Sequence, residues 1–454
     1  MNKKLQIDPG IFKAYDIRGI YKENLNEDTA RDIGRAFAGI LKPTKVVVGQ
    51  DGRTSSPALT EAVIQGLTSV GVDIIRIGQV STDMYYYACA TKELPGIMVT
   101  ASHNPKEYNG FKMVREIPYL LSGEEGIQDI RALIEAGNFP ASVDKLGKIE
   151  DLDIMQGFIE KVTSLADISK LKPMKIIADT ANGMVGLSLL ELFKRIPQIK
   201  LTPMYFEIDG TFPNHGGDPL LAENRAELQH RVASEGFDLG FAFDPDGDRF
   251  FCIDKKGRFI PGDFMTAILS RYFLNKKPGA TIVYDVRASW AVKDTIKANQ
   301  GKGLYNRVGH AYIKKRMSDE KAVFGGEVTG HYYFEDFYGC DSGLVPLIYL
   351  LDLLSNSDKS LDEIVDEYEA KYFLSGEINS QVPDVSATLA KIKDQYSDGA
   401  KKIIEIDGIT IENEDWRFNV RGSNTEPLIR LNLEAKNQKL MERKRDELLK
   451  LIRN

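Results

Sequence analysis

The stretch that decides the fold is Ile97-Met98-Val99-Thr100-Ala101-Ser102-His103-Asn104-Pro105, an apolar run followed at once by a polar loop. The apolar run predicts a buried strand, so Ser102 is expected in the loop at the carboxyl end of that strand. In open α/β sheets with parallel strands, ligands bind at this edge. A serine there can act as a nucleophile or carry a phosphate. The alternative is a polar turn in which the Ser and Asn side chains satisfy local backbone groups.

The composition is typical of a soluble protein with several domains. The chain has 454 residues, of which 43% are hydrophobic, so we expect three or four domains. The net charge of -7 argues against a broad nucleic-acid-binding surface, because such surfaces need clustered Lys and Arg. The cysteines Cys89, Cys252 and Cys340 support neither a disulfide framework nor a CxxC metal site. The first residues lack a signal-peptide core, and the longest apolar run, Leu344 to Leu351, ends at Asp352, so we expect a cytoplasmic protein without a membrane segment.

Polar loops follow predicted interior strands at two further places. The strand Leu239 to Phe243 leads to the loop Asp244 to Arg249, and the run Ala322 to Phe324 leads to the loop Gly325 to His331. Each loop ends a block of alternating strands and helices, so the blocks resemble a diverged internal repeat. This order predicts three similar α/β domains that aim their loops at one cleft, although three independent α/β domains are an alternative. The tail, with short strands and a helix from about 438 to 452, predicts a small α+β domain.

These patterns place the domain boundaries. We expect α/β domain I with the serine loop at residues 1–148 and α/β domain II with the acidic loop at 149–256. We expect α/β domain III at 257–369 and the α+β domain IV at 370–454.

The loop of domain II carries three carboxylates at alternate positions, Asp244, Asp246 and Asp248. Oxygen ligands at this spacing can converge on one hard cation, and Mg²⁺ would keep room for a phosphate oxygen. A calcium-binding EF-hand also begins with Asp-x-Asp-x-Asp, but it needs Gly at its sixth position and Glu at its twelfth. Arg249 and Lys255 occupy these positions, so the calcium interpretation fails. An acidic turn that opens a hairpin is the remaining alternative.

The loop of domain III carries Glu327, Thr329 and His331 at alternate positions. If the loop is locally extended, the three side chains point the same way. Together they can hold vicinal sugar hydroxyls, with the carboxylate accepting and the imidazole donating or carrying a proton. A solvated Glu or His on an ordinary turn is the alternative.

Basic residues beside turns mark one more segment near each end of the chain. In domain IV, Arg421 precedes Ser423 to Thr425, and a guanidinium with hydroxyls and backbone donors suits a phosphate dianion. Near the N-terminus, Gly19 predicts a tight turn that presents Arg18 and Tyr15.

Together these loops resemble the α-D-phosphohexomutase family, most closely its phosphomannomutase/phosphoglucomutase members. The matching motifs, in the family order, are Tyr15 to Gly19, Thr100 to Pro105, Asn109 to Lys112, Asp244 to Arg249, Glu327 to His331 and Arg421 to Pro427. The resemblance implies three similar α/β domains and a C-terminal α+β domain around a central cleft, with the last domain closing over the substrate.

The resemblance also implies a role for each site residue. Ser102 would be the phosphoserine, and the metal site would be Ser102 with Asp244, Asp246 and Asp248. The remaining catalytic residues would be Arg18, His103, Lys112, Arg249 and His331, the last as a proton carrier. The substrate-binding residues would be Tyr15, Arg287, His310, Glu327, Thr329, Arg421, Ser423, Asn424 and Thr425.

The implied activity is the reversible conversion of hexose 1-phosphate and hexose 6-phosphate, with mannose or glucose as the sugar. It would proceed through the phosphoserine and a hexose 1,6-bisphosphate that is both intermediate and activator, with Mg²⁺ as cofactor. We expect a monomer or weak dimer that acts on small sugar phosphates. The alternatives are a phosphoglucosamine mutase, a catalytically inactive sugar-phosphate-binding protein and a Mg²⁺-dependent phosphatase with an aspartate nucleophile.

Two departures from the family pattern are visible. Thr329 stands where the family more often has serine, which bears on sugar preference. The stretch Ser81 to Met84 lacks a proline that is common after the threonine, and we expect this difference to be structural.

Overall fold

The computed structural model describes residues 7–123, 125–422 and 428–453. The chain divides into two compact units. The first unit comprises Met1–Ile260 and Thr329–Asp358, and the second comprises Pro261–Val328 and Lys359–Asn454. In the part of the chain described here, no helix is both long enough and apolar enough to cross a membrane.

The helices and strands alternate along most of the chain. The α-helices are α1 (Glu27–Leu41), α2 (Ser56–Ser69), α3 (Thr82–Lys92), α4 (Ile127–Ala136), α5 (Met155–Thr163), α6 (Val185–Lys194), α7 (Ala222–Glu235), α8 (Gly262–Lys276), α9 (Trp290–Ala298), α10 (His310–Glu320), α11 (Leu344–Ser355), α12 (Leu361–Glu369), α13 (Val385–Ser397) and α14 (Gln438–Arg453). Short 3-10 helices cover Pro9–Ile11, Ile168–Lys170 and Glu335–Phe337.

The strands bear out the order expected for α/β domains followed by an antiparallel tail. They are β1 (Ile17–Ile20), β2 (Lys45–Gln50), β3 (Asp73–Gln79), β4 (Gly96–Val99), β5 (Tyr108–Glu116), β6 (Tyr119–Leu120), β7 (Ile149–Asp151), β8 (Met174–Asp179), β9 (Ile199–Met204), β10 (Leu239–Phe243), β11 (Phe250–Asp254), β12 (Thr281–Asp285), β13 (Lys302–Asn306), β14 (Phe324–Gly326), β15 (Tyr332–Phe334), β16 (Cys340–Asp341), β17 (Phe373–Gln381), β18 (Lys402–Ile404), β19 (Ile409–Glu412), β20 (Trp416–Gly422) and β21 (Leu428–Ala435).

The first unit contains a mixed sheet with the strand order β1-β5-β4-β2-β3-β7. Strands β4, β2, β3 and β7 are parallel, whereas β5 runs antiparallel to β4 and β1. Residues Val46 to Val48 of β2 are fully buried, and Val46 and Val48 share a core with α1, α2 and α4. Because β2, β3 and β4 are parallel, the turns that follow them lie at the same edge of the sheet. The Ser102 loop is the turn after β4, as predicted.

A second sheet of the first unit has the order β11-β10-β8-β9. Strands β10, β8 and β9 are parallel, and β11 pairs antiparallel with β10, so the acidic loop is the tip of a β-hairpin. Phe243 ends β10 and Phe250 begins β11, and their buried rings lie 5.9 Å apart between centroids. The contact between these two rings fixes both ends of the acidic loop. The hairpin β15–β16 follows a bridge between Arg249 and His331.

The second unit contains two sheets. Strand β12 pairs in parallel with β13 and β14, as predicted for an α/β domain. The other sheet is antiparallel, with the order β17-β21-β20-β19-β18. Its strands alternate: Phe418 and Val420 belong to the core that α13 and α14 cover, whereas Arg417, Asn419 and Arg421 project from the opposite face.

The polar face of the antiparallel sheet is nevertheless buried within the second unit. Arg417 donates to the carbonyl oxygens of Val286 and Ala288 in the turn after β12. Glu434 accepts from the Ser289 hydroxyl and the Trp290 amide, at 2.7 and 2.9 Å. These hydrogen bonds offset part of the cost of burying the polar groups.

One local prediction is wrong. Gly19 does not form a tight turn but lies within β1, opposite Asn109 of β5. A Cβ at this position would lie 2.6 Å from Oδ1 of Asn24, so the glycine is required by a close approach of that side chain.

Candidate active site

Ser102 occupies a constrained position in its loop. Its φ of 50° lies in the left-handed region, which non-glycine residues rarely adopt. The amide of Ser102 donates to Oγ1 of Thr100 at 3.0 Å, which helps to hold this conformation. The residue is only 3% exposed, so its hydroxyl faces polar groups of the protein. Backbone strain of this kind persists only where surrounding contacts enforce it.

The main such contact is the buried guanidinium of Arg53, in the turn after β2. Arg53 is 2% exposed, and its Nε lies 3.2 Å from the Asp51 carboxylate. Its terminal nitrogens donate to the backbone carbonyls of Ser102, Asn104, Pro105 and Tyr108, at 2.6, 2.6, 2.8 and 3.0 Å. One planar cation therefore fixes the serine loop through its backbone.

The hydroxyl of Ser102 lies beside two proton acceptors. Its Oγ is 2.9 Å from Oδ2 of Asp244 and 3.1 Å from Nδ1 of His103. Burial and the nearby charges of Arg249 and Arg18 hold the pKa of His103 well below its ordinary value, so the imidazole is neutral at pH 7. A neutral imidazole at this distance can exchange a proton with the hydroxyl.

The three aspartates of the acidic loop are fully buried at the tip of their hairpin. One carboxylate oxygen of each lies within 4.8 Å of the others. Lys112 of β5 contacts both Asp246, at 2.6 Å, and Asp248. The Oδ1 atoms of Asp246 and Asp248 are buried, and neither has a hydrogen-bond partner among the described residues. Unsatisfied buried carboxylate oxygens are costly, so this donor set fits a bound divalent cation.

The charges of this cluster are coupled. Burial and the charges of Asp246 and Asp248 raise the pKa of Asp244 well above its ordinary value. Burial has the same tendency at Asp246, but the Lys112 ammonium and a hydrogen bond from Thr82 outweigh it and lower the pKa of that carboxyl. Burial works against the charge of Lys112, yet the two aspartates raise its pKa. The lysine therefore stays charged and offsets only part of the negative charge of the loop.

Arg249 and His331 form a second polar chain beside the aspartates. Arg249 Nε donates to Nε2 of His331 at 3.1 Å, and Nδ1 of His331 lies 2.9 Å from Oδ2 of Asp341. The carboxylate can only accept, so Nδ1 carries the proton and Nε2 has the lone pair. Arg249 also lies 3.7 Å from Asp244. The imidazole is thus oriented by an acid on one side and a guanidinium on the other.

The N-terminal segment adds a further cation to the serine loop. Arg18 of β1 donates to Oδ1 of Asn104 at 2.6 Å and forms an ion pair with Asp16. Tyr15 lies in the bend that precedes β1 and is half-buried. The structure thus places Arg18, His103, Lys112, Arg249 and His331 in the first unit with Ser102 and the aspartates.

The second unit holds another group of the predicted site residues. Arg287, after β12, is fully buried, and its Nη2 lies 2.9 Å from Asp285 and 3.9 Å from Glu327. The amide of Gly309 donates to Glu327 at 3.3 Å, and His310 begins α10. Arg421 lies near the end of β20, whereas Ser423, Asn424 and Thr425 lie outside the described residues.

The loop from Glu327 to His331 is not extended, so the condition under which the three side chains would point the same way is not met. Val328 and Thr329 form a turn, and Gly330 has a φ of 85°. A Cβ on Gly330 would lie 2.4 Å from the ring of Phe251, so the chain must turn here with a glycine. The three side chains therefore do not alternate along an extended strand.

Three further residues support the site but were not predicted. Arg53 lies in a polar turn without a recognisable motif. Its position directly after a parallel strand was the one sequence feature that could have indicated a role in the site. Thr82 donates to Oδ2 of Asp246 at 2.7 Å, and its amide donates to the Asp246 carbonyl, so the stretch Ser81 to Met84 anchors the acidic loop. Asp341 orients His331 but had no motif of its own in the sequence.

Comparisons with known proteins agree with this architecture along the whole chain. The models of phosphoglucomutase/phosphomannomutase α/β/α domains I, II and III match residues 9–141, 156–257 and 261–372, and that of the C-terminal domain matches 377–451. The phosphomannomutase of Salmonella montevideo is 40% identical over 448 residues, covering 97% of this chain and 98% of the relative. A Xanthomonas campestris protein named phosphohexose mutases is 39% identical over 444 residues, covering 97% and 99%.

A solved structure shows the same fold. It is a phosphoglucomutase/phosphomannomutase family protein of Burkholderia thailandensis, which is 31% identical with a TM-score of 0.89 and covers 98% of this chain and 97% of its own. Three α/β domains, a C-terminal α+β domain and a buried cluster of serine, carboxylates and cations define an enzyme of the sugar-phosphate mutase class. The chain belongs to the phosphoglucomutase/phosphomannomutase family, and its activity is that of a hexose phosphate mutase.

Proposed function

We propose that the protein interconverts hexose 1-phosphate and hexose 6-phosphate, with mannose or glucose as the sugar, through a phosphorylated Ser102. The observation that carries the proposal is the position of Ser102 Oγ, 3.1 Å from Nδ1 of His103 and 2.9 Å from Asp244, a carboxylate that Arg249 approaches to 3.7 Å. Phosphoryl transfer needs positioned cations more than covalent side-chain chemistry, and this loop is surrounded by them.

The reaction is a pair of balanced transfers. The phosphorus–Oγ bond of phospho-Ser102 breaks as a bond forms between phosphorus and the free hydroxyl of the sugar phosphate. The hydroxyl gives its proton to Nε2 of His331, the group proposed to receive it, and the departing Oγ of Ser102 takes up a proton from solvent. The resulting hexose 1,6-bisphosphate presents its other phosphate, which returns to Ser102 as the hydroxyl of Ser102 loses its proton and the released sugar oxygen takes the proton held by His331. Neutral His103, 3.1 Å from Oγ, is the acceptor proposed for that proton.

The acidic loop is the proposed site of Mg²⁺. Asp244, Asp246 and Asp248 would hold the ion together with a phosphate oxygen on Ser102. When bound there, Mg²⁺ would withdraw charge from the transferring phosphoryl group. Lys112, which already contacts two of the aspartates, and Arg249 would stabilise the same charge from the protein side.

Most of the proposed recognition groups lie in the second unit. Arg421 with Ser423, Asn424 and Thr425 would bind the phosphate that is not reacting, and Arg287 would line this site. Glu327 and His310 of the second unit would bind sugar hydroxyls, and Thr329 of the first unit is proposed for the same role. Tyr15 is a further proposed substrate-binding residue. Because the two ends of the bisphosphate must both react, hydroxyl recognition of this kind has to accept the sugar in two orientations.

The test is a coupled assay with Mg²⁺ and a trace of hexose 1,6-bisphosphate. Glucose 1-phosphate, mannose 1-phosphate and glucosamine 1-phosphate are compared as substrates. Conversion of the glucose or mannose phosphate supports the proposal. Conversion of the amino sugar alone would make the protein a phosphoglucosamine mutase, and steady release of inorganic phosphate would make it a phosphatase. Absence of all turnover would favour a sugar-phosphate-binding protein.

Asp246→Asn is expected to lower kcat about 100-fold while KM changes less than about threefold, because the metal acts on the group transferred rather than on substrate binding. Mg²⁺ affinity, measured by titration calorimetry, should fall as well. Asp254→Asn, another buried carboxylate of the same hairpin, is the control that should keep Mg²⁺ affinity. Equal losses in kcat and in substrate binding would contradict the assignment.

Asp341→Asn is expected to lower kcat about 10- to 100-fold with little change in KM, because an amide can bind the wrong tautomer of His331 and leave Nε2 protonated. Steady-state kinetics check this split. Asp352→Asn replaces a buried carboxylate of the first unit that accepts from Asn356, and it should leave both constants unchanged. A rise in KM alone would mean that Asp341 supports substrate binding instead.

A further inference from the structure

Three arginines of the second unit surround one carboxylate, that of Glu377 in β17. Arg287 donates to Oε2 of Glu377 at 3.0 Å, and Arg430 donates to Oε1 at 3.1 Å. Asn432 contributes a weaker contact to Oε2 at 3.3 Å. Arg421 contributes through its charge. We name Arg287, Arg421 and Arg430 the arginine cluster.

The register of the sheet places these charged side chains close together. Arg421 of β20 and Arg430 of β21 are directly opposite each other, and Glu377 of β17 is opposite Asn432, the next residue of β21 on the same face. Like charges at directly opposed positions destabilise a sheet, so a counter-charge is needed at this point. Glu377 provides that charge from the neighbouring strand.

The electrostatics of the cluster agree with this role. Burial opposes ionisation of Glu377, but the charges of Arg287, Arg430 and Arg421 outweigh it and hold its pKa at about 2. Arg421 is less well compensated: burial and the charge of Arg287 lower its pKa. Its Nε is buried and has no hydrogen-bond partner in the described part of the chain. The guanidinium group of Arg421 can therefore still bind an anion.

We propose that Glu377 is an internal anion that occupies the arginine cluster and competes with the substrate phosphate for its guanidinium groups. The inference rests on the proposed role of Arg421 in binding the phosphate that is not reacting. Three arginines without a carboxylate would bind a phosphate dianion tightly. Competition from Glu377 weakens this binding, which suits an intermediate that must release one phosphate and present the other.

Linkage gives the direction of the effect. Phosphate can bind the arginine cluster only when the guanidinium groups are not held by Glu377. Weaker contacts between Glu377 and the arginines therefore make phosphate bind more tightly. Glu377→Gln removes the competing charge and leaves a side chain of nearly the same shape. The variant is expected to bind inorganic phosphate about tenfold more tightly than the unmodified protein. Its KM for hexose phosphate should fall, and kcat should fall as well if release of the held phosphate limits turnover.

Inorganic phosphate is the probe, and titration calorimetry on the complete chain measures its dissociation constant without turnover. Arg421→Met identifies the binding event at the cluster, because only that event should be lost in this variant. Glu412→Gln is the matched control: Glu412 is also a buried carboxylate on the polar face of the same sheet, but it pairs with Lys293 at 3.1 Å. Its phosphate affinity should stay within about twofold of the unmodified value.

Unchanged or weaker phosphate binding by Glu377→Gln would overturn the proposal and leave Glu377 as a group that only orients the arginines. If the Gln variant does not fold, Glu377→Asp replaces it, since Asp keeps the charge but loses a methylene and hence contact with the guanidinium groups. The Asp variant is expected to bind phosphate more tightly than the unmodified protein, and weaker binding would contradict the inference. Because no step depends on turnover, failure of the mutase assay would be seen separately.

Discussion

Replacement of Ser102 by alanine is expected to reduce hexose phosphate interconversion by about 10⁴-fold or more, because the proposed carrier of the phosphoryl group is removed. The cations around the loop would remain, but they would have no acceptor for the phosphate that returns from the bisphosphate. The measurement is the coupled assay, together with mass spectrometry for a phosphate on the purified protein. The unmodified protein should carry a phosphoryl group on Ser102, and the variant should carry none.

A matched control separates loss of the carrier from loss of structure. Ser188 is also a fully buried serine of the first unit, and its hydroxyl donates to the carbonyl of Val185 within α6. Ser188→Ala should keep full activity. If Ser102→Ala retained more than about a tenth of the activity, the carrier role would be wrong, and an aspartate nucleophile would become the better explanation.

Arg53→Met is expected to destabilise the first unit by about 3 to 5 kcal/mol and to abolish turnover. The methionine can fill the space, but it leaves the Asp51 carboxylate buried without its cation and frees the backbone carbonyls that hold the Ser102 loop. The measurement is the thermal unfolding midpoint, with activity assayed well below it. Arg53→Lys should have a stability and an activity between those of the unmodified protein and those of Arg53→Met. Its ammonium keeps the charge but cannot reproduce the planar set of donors.

Arg225→Met is the control for this prediction. Arg225 also donates to backbone carbonyls, those of Pro219 and Leu220, and it lies over the ring of Phe259. Among the described residues, no carboxylate forms an ion pair with it. Its loss should cost about 1 to 2 kcal/mol and leave most of the activity. If both arginine variants lost equal stability and kept equal activity, Arg53 would be an ordinary buried arginine rather than the support of the serine loop.

The features that the sequence predicted correctly are local ones. The apolar runs Ile97 to Val99 and Leu239 to Phe243 each form a buried strand that is followed by a polar loop. They could be predicted because a strand that is buried on both faces has a continuous apolar sequence. The convergence of Asp244, Asp246 and Asp248 also follows from their spacing. The family was identified from the resemblance of the motifs, and the comparisons confirm that identification.

The features that were missed depend on side-chain contacts that the local sequence pattern does not predict. Arg53 reaches carbonyls about fifty residues away, and Asp341 meets His331 across a hairpin. Gly19 was expected in a turn but lies in a strand, because what requires a glycine is the nearby side chain of Asn24. The glycine at position 330 is likewise required by the nearby ring of Phe251. The periodicity of the sequence does not predict such side-chain contacts.

The sequence by itself determined the order of the α/β units, the strand that precedes each functional loop and the chemical groups within those loops. These follow from burial patterns and from residue spacing, which act over a few residues. Only the tertiary structure decided which groups meet: that Lys112 lies against Asp246, that Asp341 orients His331 and that Glu377 faces the arginine cluster. The physical reason is that charge pairing in a buried site depends on distances of a few ångströms, which only the packing of separate strands establishes.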